Sequence, residues 1–129
     1  MIEKIPKQLQ NEKFGFCKIA VGSKKPIEPN WPDKPYKYDS KELNKYTDAG
    51  GNYGTITGYG DIRILDVDKL DLVPIFDKLF SDTFSVQTPS GGRHYYFISD
   101  YNTNHVLKDR AGELRCSKMQ CVGPNCEVD

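Results

Sequence analysis

The run Ile62-Arg63-Ile64-Leu65-Asp66-Val67-Asp68 constrains the fold of this chain more than any other part of its sequence. Its apolar, β-branched residues favour a strand, and two carboxylates separated by one residue end it. Side chains two apart in a strand project from the same face, so Asp66 and Asp68 are predicted to lie together. Such carboxylates repel each other, and a hard divalent cation such as Mg²⁺ relieves the repulsion. An ordinary turn after the strand is the alternative.

The composition is typical of one globular domain covering residues 1–129. Of the 129 residues, 37% are hydrophobic and 28% are charged, which suffices for a single core. The net charge is zero, so the chain lacks the basic excess of a tight stand-alone DNA-binding protein. It has neither an apolar stretch of membrane-spanning length nor a signal-peptide core at its N-terminus. We therefore expect a cytoplasmic protein with no membrane partner.

Strand patterns outnumber helical patterns along the chain. Strands are predicted over residues 14–21, 52–57, 62–67, 83–87, 94–98, 113–116 and 120–122, and helices over 2–11, 40–46 and 70–80. In the last helix, the apolar side chains expected to face the core are Leu72, Ile75, Phe76 and Leu79. Residues 22–37 form a Lys- and Pro-rich loop within the domain. Without a strict βαβ alternation, the fold class is α+β, with a mixed or antiparallel sheet and flanking helices.

A second candidate element is the segment 88–97, in which Gly91-Gly92 precedes an aromatic strand. Two glycines allow backbone amides to approach an anion closely, as in an anion-binding nest. His94 would open the strand and could donate a hydrogen bond to a phosphate oxygen. The alternative is a plain Gly-Gly hairpin in which His94 is an ordinary strand residue.

The third element is Gly112-Glu113-Leu114-Arg115. In a strand, Glu113 and Arg115 share a face. Glu113 could complete a three-acid metal site with Asp66 and Asp68, and Arg115 could hold a phosphate in bidentate fashion. A cross-strand salt bridge is the alternative reading of this short segment.

The cysteines raise the question of zinc. Cys116, Cys121 and Cys126 recur at intervals of five residues and His105 precedes them, so a zinc site from these four is conceivable. The spacing differs from the Cys-x₂-Cys of a zinc knuckle. We therefore favour reduced, unligated thiols in an intracellular protein.

The order of these elements resembles the bifunctional DNA primase–polymerase domain of the archaeo-eukaryotic primase superfamily, which is common on plasmids, viruses and mobile elements. The matching motifs are Asn52–Gly58, Leu65–Asp68, Thr88–Phe97 and Gly112–Arg115, with Lys24-Lys25-Pro26 and Asn30-Trp31 upstream. The resemblance spans about Lys24 to Val122, which is most of the chain. Agreement of several weak signals in order makes it specific.

The resemblance implies a core related to the RNA-recognition fold and a role for each matching residue. Asp66, Asp68 and Glu113 match the acids that bind two Mg²⁺ or Mn²⁺ ions, and His94 matches the histidine that contacts the phosphates of the incoming nucleotide. Arg115 is expected to reach phosphate or template. The remaining residues expected around the phosphates are Ser90, Gly91, Gly92, Arg93 and Lys25.

The implied activity is template-directed nucleotidyl transfer, as a DNA primase, a polymerase or both, in replication of a mobile element, virus or archaeal replicon. The expected partners are a single-stranded DNA template, an NTP or dNTP, and a helicase. The alternative is a catalytically weak module that binds nucleotide, or single-stranded nucleic acid, on an aromatic sheet face containing Tyr95 and Phe97.

Three departures from the family pattern weaken the expected activity. Glu113 stands where the family usually has Asp, and Cys116 stands where it usually has Gly. The sequence also ends soon after the third motif, so we expect the domain to be incomplete at its C-terminal end and the isolated segment to be weakly active.

Overall fold

The computed structural model describes residues 4–129. It contains two α-helices and eight strands, joined by short 3₁₀ turns. The helices are α1 (Lys41–Asp48) and α2 (Val73–Leu79). The strands are β1 (Gly15–Ile19), β2 (Asn52–Ile56), β3 (Ile62–Val67), β4 (Phe84–Gln87), β5 (Arg93–Ile98), β6 (His105–Val106), β7 (Gly112–Arg115) and β8 (Gln120–Val122).

The strands form two antiparallel sheets, so the predicted α+β class is confirmed. The larger sheet has the order β4-β5-β3-β7-β6 and the smaller one the order β1-β2-β8. β3, which carries Asp66, is the central strand of the larger sheet. Its hydrogen-bonded neighbours, β5 and β7, carry the two other predicted motifs. Three segments distant in sequence therefore meet at one place.

The two faces of the larger sheet are covered differently. On one face, Ile64 and Tyr96 belong to a core cluster that includes Phe16 and Tyr53 of the smaller sheet. The rings of Phe16 and Tyr53 meet edge to face with centroids 5.8 Å apart. Burial of these large side chains is the main favourable term that holds the two sheets together.

On the opposite face, α2 covers the sheet. Leu65, Val67 and Tyr95 form a second cluster with residues that include Phe76 and Phe80. Tyr95 is fully buried there and its hydroxyl donates to Asp77 Oδ1 at 2.6 Å. The predicted aromatic platform is therefore wrong as regards Tyr95, because a helix rather than solvent lies over this face.

The predicted helix over 70–80 is shorter and rotated. A 3₁₀ turn occupies Leu70–Leu72, and α2 starts at Val73 with a proline in its first turn. Phe76 and Phe80, four residues apart, face the sheet, whereas Ile75 and Leu79 are 54% and 70% exposed. The prediction that Ile75 and Leu79 face the core is therefore wrong.

Two other segments differ from the sequence pattern. The predicted helix over 2–11 lies partly outside the described residues, and within them only a 3₁₀ turn forms at Lys7–Leu9, after Pro6. Strand β6 was not predicted, since its two residues are too few to show a period. Among residues 4–129, no helix is long and apolar enough to cross a membrane.

Candidate active site

Asp66 occupies the centre of a row of side chains that crosses the larger sheet. It is the register partner of His94 on β5 and of Glu113 on β7. The row continues to Val86 on β4 and Val106 on β6. Directly opposed residues of antiparallel strands share a face, so the acid, the histidine and the second acid lie on the face toward the smaller sheet.

A close backbone approach fixes Glu113 beside Asp66. Gly112, the first residue of β7, has a φ of +153°, and a Cβ at this position would overlap the carbonyl oxygen of Asp66. The amides of Asp68 and Lys69 both donate to the carbonyl of Ala111, at 2.7 and 3.2 Å. The short turn before β7 is therefore held against the end of β3.

Asp66 is only 8% exposed, and its carboxylate lies between the side chains of His94 and Arg115. His94 Nε2 is 3.3 Å from Oδ1, and an Arg115 terminal nitrogen is 3.4 Å from Oδ2. No hydrogen bond of acceptable geometry reaches Oδ1, although that atom is buried. A buried carboxylate oxygen without a donor is costly, so this atom is available as a ligand.

Asp68 lies next to Asp66, and the pKa values of the two carboxyl groups are shifted in opposite directions. Burial opposes ionisation of Asp66, but His94 and Arg115 outweigh it and hold its pKa below the ordinary value. Burial, followed by the negative charge of Asp66, raises the pKa of Asp68. This is the mutual repulsion expected of neighbouring carboxylates, and such opposed shifts are typical of functional sites.

The guanidinium of Arg115 connects the two sheets at the site. One terminal nitrogen donates to the carbonyl oxygen of Gln120 on β8 at 2.6 Å and to Cys121 Sγ at 3.3 Å. The other terminal nitrogen contacts Asp66, and Nε lies 3.6 Å from Glu113 Oε2. Burial alone would lower the pKa of Arg115, but Cys121, Asp66 and Glu113 raise it. Arg115 is therefore a cation bound from four directions.

A cleft of about 700 Å³ opens beside these residues, between the larger sheet and the segment around β8. Five of the residues predicted to bind a divalent cation or nucleotide line it: Asp66, Asp68, Ser90, His94 and Arg115. Two of the four zinc candidates, Cys121 and Cys126, line it as well. The lining residues that the sequence did not single out as site residues include Lys24, Thr88, Gln120, residues 122–125 and Val128. For Lys24, the only sequence signal was its place in the Lys-Lys-Pro motif.

The other residues predicted to bind a divalent cation or nucleotide lie outside the lining of this cleft in the described part of the chain: Lys25, Gly91, Gly92, Arg93 and Glu113. Arg93 Nε is 3.5 Å from Asp77 Oδ1 of α2. Gly92 packs closely on β3, since a Cβ there would overlap the carbonyl oxygen of Val67. The close packing of Gly92 on β3 therefore helps to place His94 beside Asp66.

The donor set fits one or two Mg²⁺ or Mn²⁺ ions only in part. Within residues 4–129, no group of three or more His, Cys, Asp or Glu side chains is arranged to hold a metal ion. Mg²⁺, however, is commonly held by one or two carboxylates together with substrate phosphates and water. The buried, unbonded Oδ1 of Asp66 and the neighbouring Asp68 suit that mode. The acid pair fits a hard divalent cation, while Glu113 is engaged by Arg115.

The four residues considered for zinc have other contacts. Cys121 and Cys126 belong to the core between the sheets, and Cys116 is fully buried with its amide bonded to Asn104. His105 Nε2 lies 2.6 Å from the hydroxyl of Tyr101. All four cysteines of the chain are free thiols.

Comparison with curated proteins finds no match. The model of the family described as "Bifunctional DNA primase/polymerase, N-terminal" matches residues 8–128. This match covers both sheets and every residue of the cleft. The chain therefore belongs to the family of bifunctional DNA primase/polymerase N-terminal domains.

Proposed function

We propose that this domain catalyses template-directed nucleotidyl transfer, as a DNA primase, a DNA polymerase or both. The observation that carries the proposal is the cleft in which Asp66 lies beside Asp68. The buried Oδ1 of Asp66 accepts no hydrogen bond of acceptable geometry and lies 3.3 Å from His94 Nε2. The family is one of DNA primases and polymerases. Its substrates are DNA and nucleotides, and the cleft lies within the usual size range of small-molecule sites.

In this proposal, Asp66 and Asp68 hold divalent cations. When bound, such ions activate the attacking 3′-hydroxyl and stabilise the charge of the pyrophosphate leaving group. His94 donates a hydrogen bond to a phosphate oxygen of the incoming nucleotide. Lys24 and Ser90, which line the same cleft, attract and orient the phosphates. The smaller sheet shields the reacting groups from water on one side.

The broader context follows from the family and is part of the proposal. A single-stranded DNA template would enter along the open side of the cleft, and a helicase would supply that strand. The replicon would be a mobile element, a virus or an archaeal replicon. Zero net charge suits an enzyme that holds its template weakly and briefly.

The test is primer synthesis and primer extension on single-stranded DNA with Mn²⁺ and either NTPs or dNTPs. We expect Asp66→Asn to lower synthesis at least about a hundredfold, since it removes a metal-binding carboxylate. Asp109→Asn is the matched control, because Asp109 is an exposed acid outside the cleft. Equal synthesis by the wild type and Asp66→Asn would refute the proposal.

A nucleotide-binding module is the second candidate function. It is favoured by one observation: Glu113, the expected third acid, lies against Arg115 and does not line the cleft. This function predicts nucleotide binding that depends on His94, without transfer under any of the conditions above. Calorimetry with a non-hydrolysable nucleotide, together with the synthesis assay, separates the two candidates.

A further inference from the structure

The sequence predicts that Arg115 holds a phosphate or forms a cross-strand salt bridge. Its four contacts in the structure suggest a different role. We propose that Arg115 is an internal counter-cation that holds Glu113 out of the metal site until a nucleotide binds. This inference rests on the proposed function, since it concerns the same acids. It assigns Arg115 as a positioning residue rather than a phosphate ligand.

The first argument is the unequal strength of its contacts. The bond from Arg115 to the Gln120 carbonyl is short, at 2.6 Å, and anchors the guanidinium on β8. Its approaches to Asp66 Oδ2 and Glu113 Oε2 are longer, at 3.4 and 3.6 Å. Nε is buried and makes no hydrogen bond of acceptable geometry. The guanidinium is therefore fixed to the smaller sheet, and the carboxylates are the partners that can be drawn away.

The second argument is the difference between the two acids. The Glu113 side chain is 35% exposed, whereas that of Asp66 is 11% exposed. Glu113 also has one more methylene, so it can change rotamer toward the cleft at little cost. Asp66 already offers Oδ1 while Arg115 contacts only Oδ2. Asp66 can thus bind a cation in place, and Glu113 must first leave Arg115.

The third argument is charge. A divalent cation that approaches Asp66 meets the positive charge of Arg115 at close range in a partly buried site, where Coulomb interactions are strong. Arg115 therefore weakens metal binding by the free protein. The negative phosphates of a nucleotide offset this repulsion. Metal and nucleotide are consequently expected to bind together, with Glu113 joining at that step.

The experiment measures Mn²⁺ affinity by calorimetry in the absence of nucleotide. We expect Arg115→Gln to bind Mn²⁺ about tenfold more tightly than the wild type, because a nearby positive charge is removed. Lys118→Gln is the matched control: it removes the same charge from an exposed residue that contacts Asp33, and its affinity should stay within about twofold. A merely structural role for Arg115 predicts lower thermal stability and no gain in Mn²⁺ affinity, and that result would overturn the inference.

A second variant keeps the inference testable even when Arg115→Gln does not fold. Because Glu113 is held by Arg115, Glu113→Gln should leave Mn²⁺ affinity without nucleotide within about threefold of the wild type. When Arg115→Gln does fold, the same change in that background should weaken Mn²⁺ binding, which a double-mutant cycle measures. Loss of Mn²⁺ binding in the single Glu113→Gln variant would contradict the inference.

Asp66→Asn separates the inference from the proposed function. If the wild type binds Mn²⁺ and Asp66→Asn does not, the proposed metal site at Asp66 is supported. The Arg115→Gln result then tests only the inference about Arg115. If, with nucleotide present, the wild type and Asp66→Asn both bind Mn²⁺ equally or neither binds it, the proposed metal site fails and the inference fails with it.

Discussion

Asp66 and His94 are register partners on adjacent antiparallel strands, and His94 Nε2 lies 3.3 Å from Asp66 Oδ1. The side chains of Asp66 and His94 are 11% and 13% exposed, respectively, so solvent screens their interaction less than it would at the surface. A ligand that binds His94 is therefore expected to affect Asp66 directly. This contact joins the predicted nucleotide residue to the predicted metal residue.

His94→Ala should weaken nucleotide binding about tenfold, because a hydrogen bond to a charged phosphate is lost. It should also lower the free energy of unfolding by about 1 kcal/mol, since the contact with Asp66 is lost. Fluorescence anisotropy with a labelled nucleotide and thermal melting measure the two effects. His105→Ala is the control, because His105 is the other of the two histidines and contacts Tyr101 instead. Equal nucleotide affinity of His94→Ala and His105→Ala would show that His94 does not bind the nucleotide.

Lys24→Ala and Lys25→Ala form a matched pair. Both residues are exposed neighbours in one loop, but only Lys24 lines the cleft. We expect Lys24→Ala to weaken nucleotide affinity by about three- to tenfold and Lys25→Ala to change it by less than about twofold. Raising the salt concentration should reduce the difference. A larger effect at Lys25 would support the sequence prediction over the position seen in the structure.

Gly112→Ala should destabilise the domain by more than about 3 kcal/mol, because strain at a special backbone position adds to steric overlap. The new methyl group would overlap the Asp66 carbonyl and force β7 away from β3. Gly50→Ala is the comparison, since its φ is +104° but a Cβ there meets nothing within 4 Å. Urea unfolding of both variants measures the difference, and similar losses would show that overlap at Gly112 is relieved easily.

Cys17 and Cys121 should resist alkylation at pH 8 in the native protein. Burial raises the pKa of each thiol from 9.0 to about 12, so little reactive thiolate is present. Cys126 is less buried and should react first, as mass spectrometry after brief iodoacetamide treatment can show. Rapid labelling of Cys17 at the rate of Cys126 would contradict its burial.

The same two thiols predict loss of stability in alkali. A pKa that is raised in the folded state stabilises the fold fully below the unfolded value of 9.0 and loses that contribution as the pH rises toward about 12. The free energy of unfolding should therefore fall between these limits. The free energy of unfolding of the Cys17→Ala variant should fall less steeply over this pH range than that of the wild type.

Local sequence patterns predicted the elements whose signal lies within a few residues. The apolar, β-branched run ending at Asp66 predicted β3, and the Gly-Gly pair before His94 predicted the start of β5 to within one residue. The ordered motifs predicted the family, which the match over residues 8–128 confirms. The metal ions and the catalytic roles of individual residues stay predictions.

Patterns failed where neighbours distant in sequence decide the outcome. Leu79 fits an amphipathic helix, yet it is exposed because the sheet meets α2 along Phe76 and Phe80. Tyr95 and Phe97 lie on one face of the larger sheet, but the sequence does not say which face of that sheet a helix covers. Strand β6 exists only because β7 pairs with it.

The sequence by itself determined that Asp66 and Asp68 stand at the end of one strand, that His94 follows a tight turn, and that one family contains both motifs. These features depend on backbone periodicity and turn chemistry, which act over a few residues. Only the tertiary structure decided that His94 and Glu113 flank Asp66, that Lys24 rather than Lys25 lines the cleft, and that Arg115 is bound by protein on four sides. Those relationships arise from strand order and register between distant segments, which the packing of the two sheets sets and no local pattern encodes.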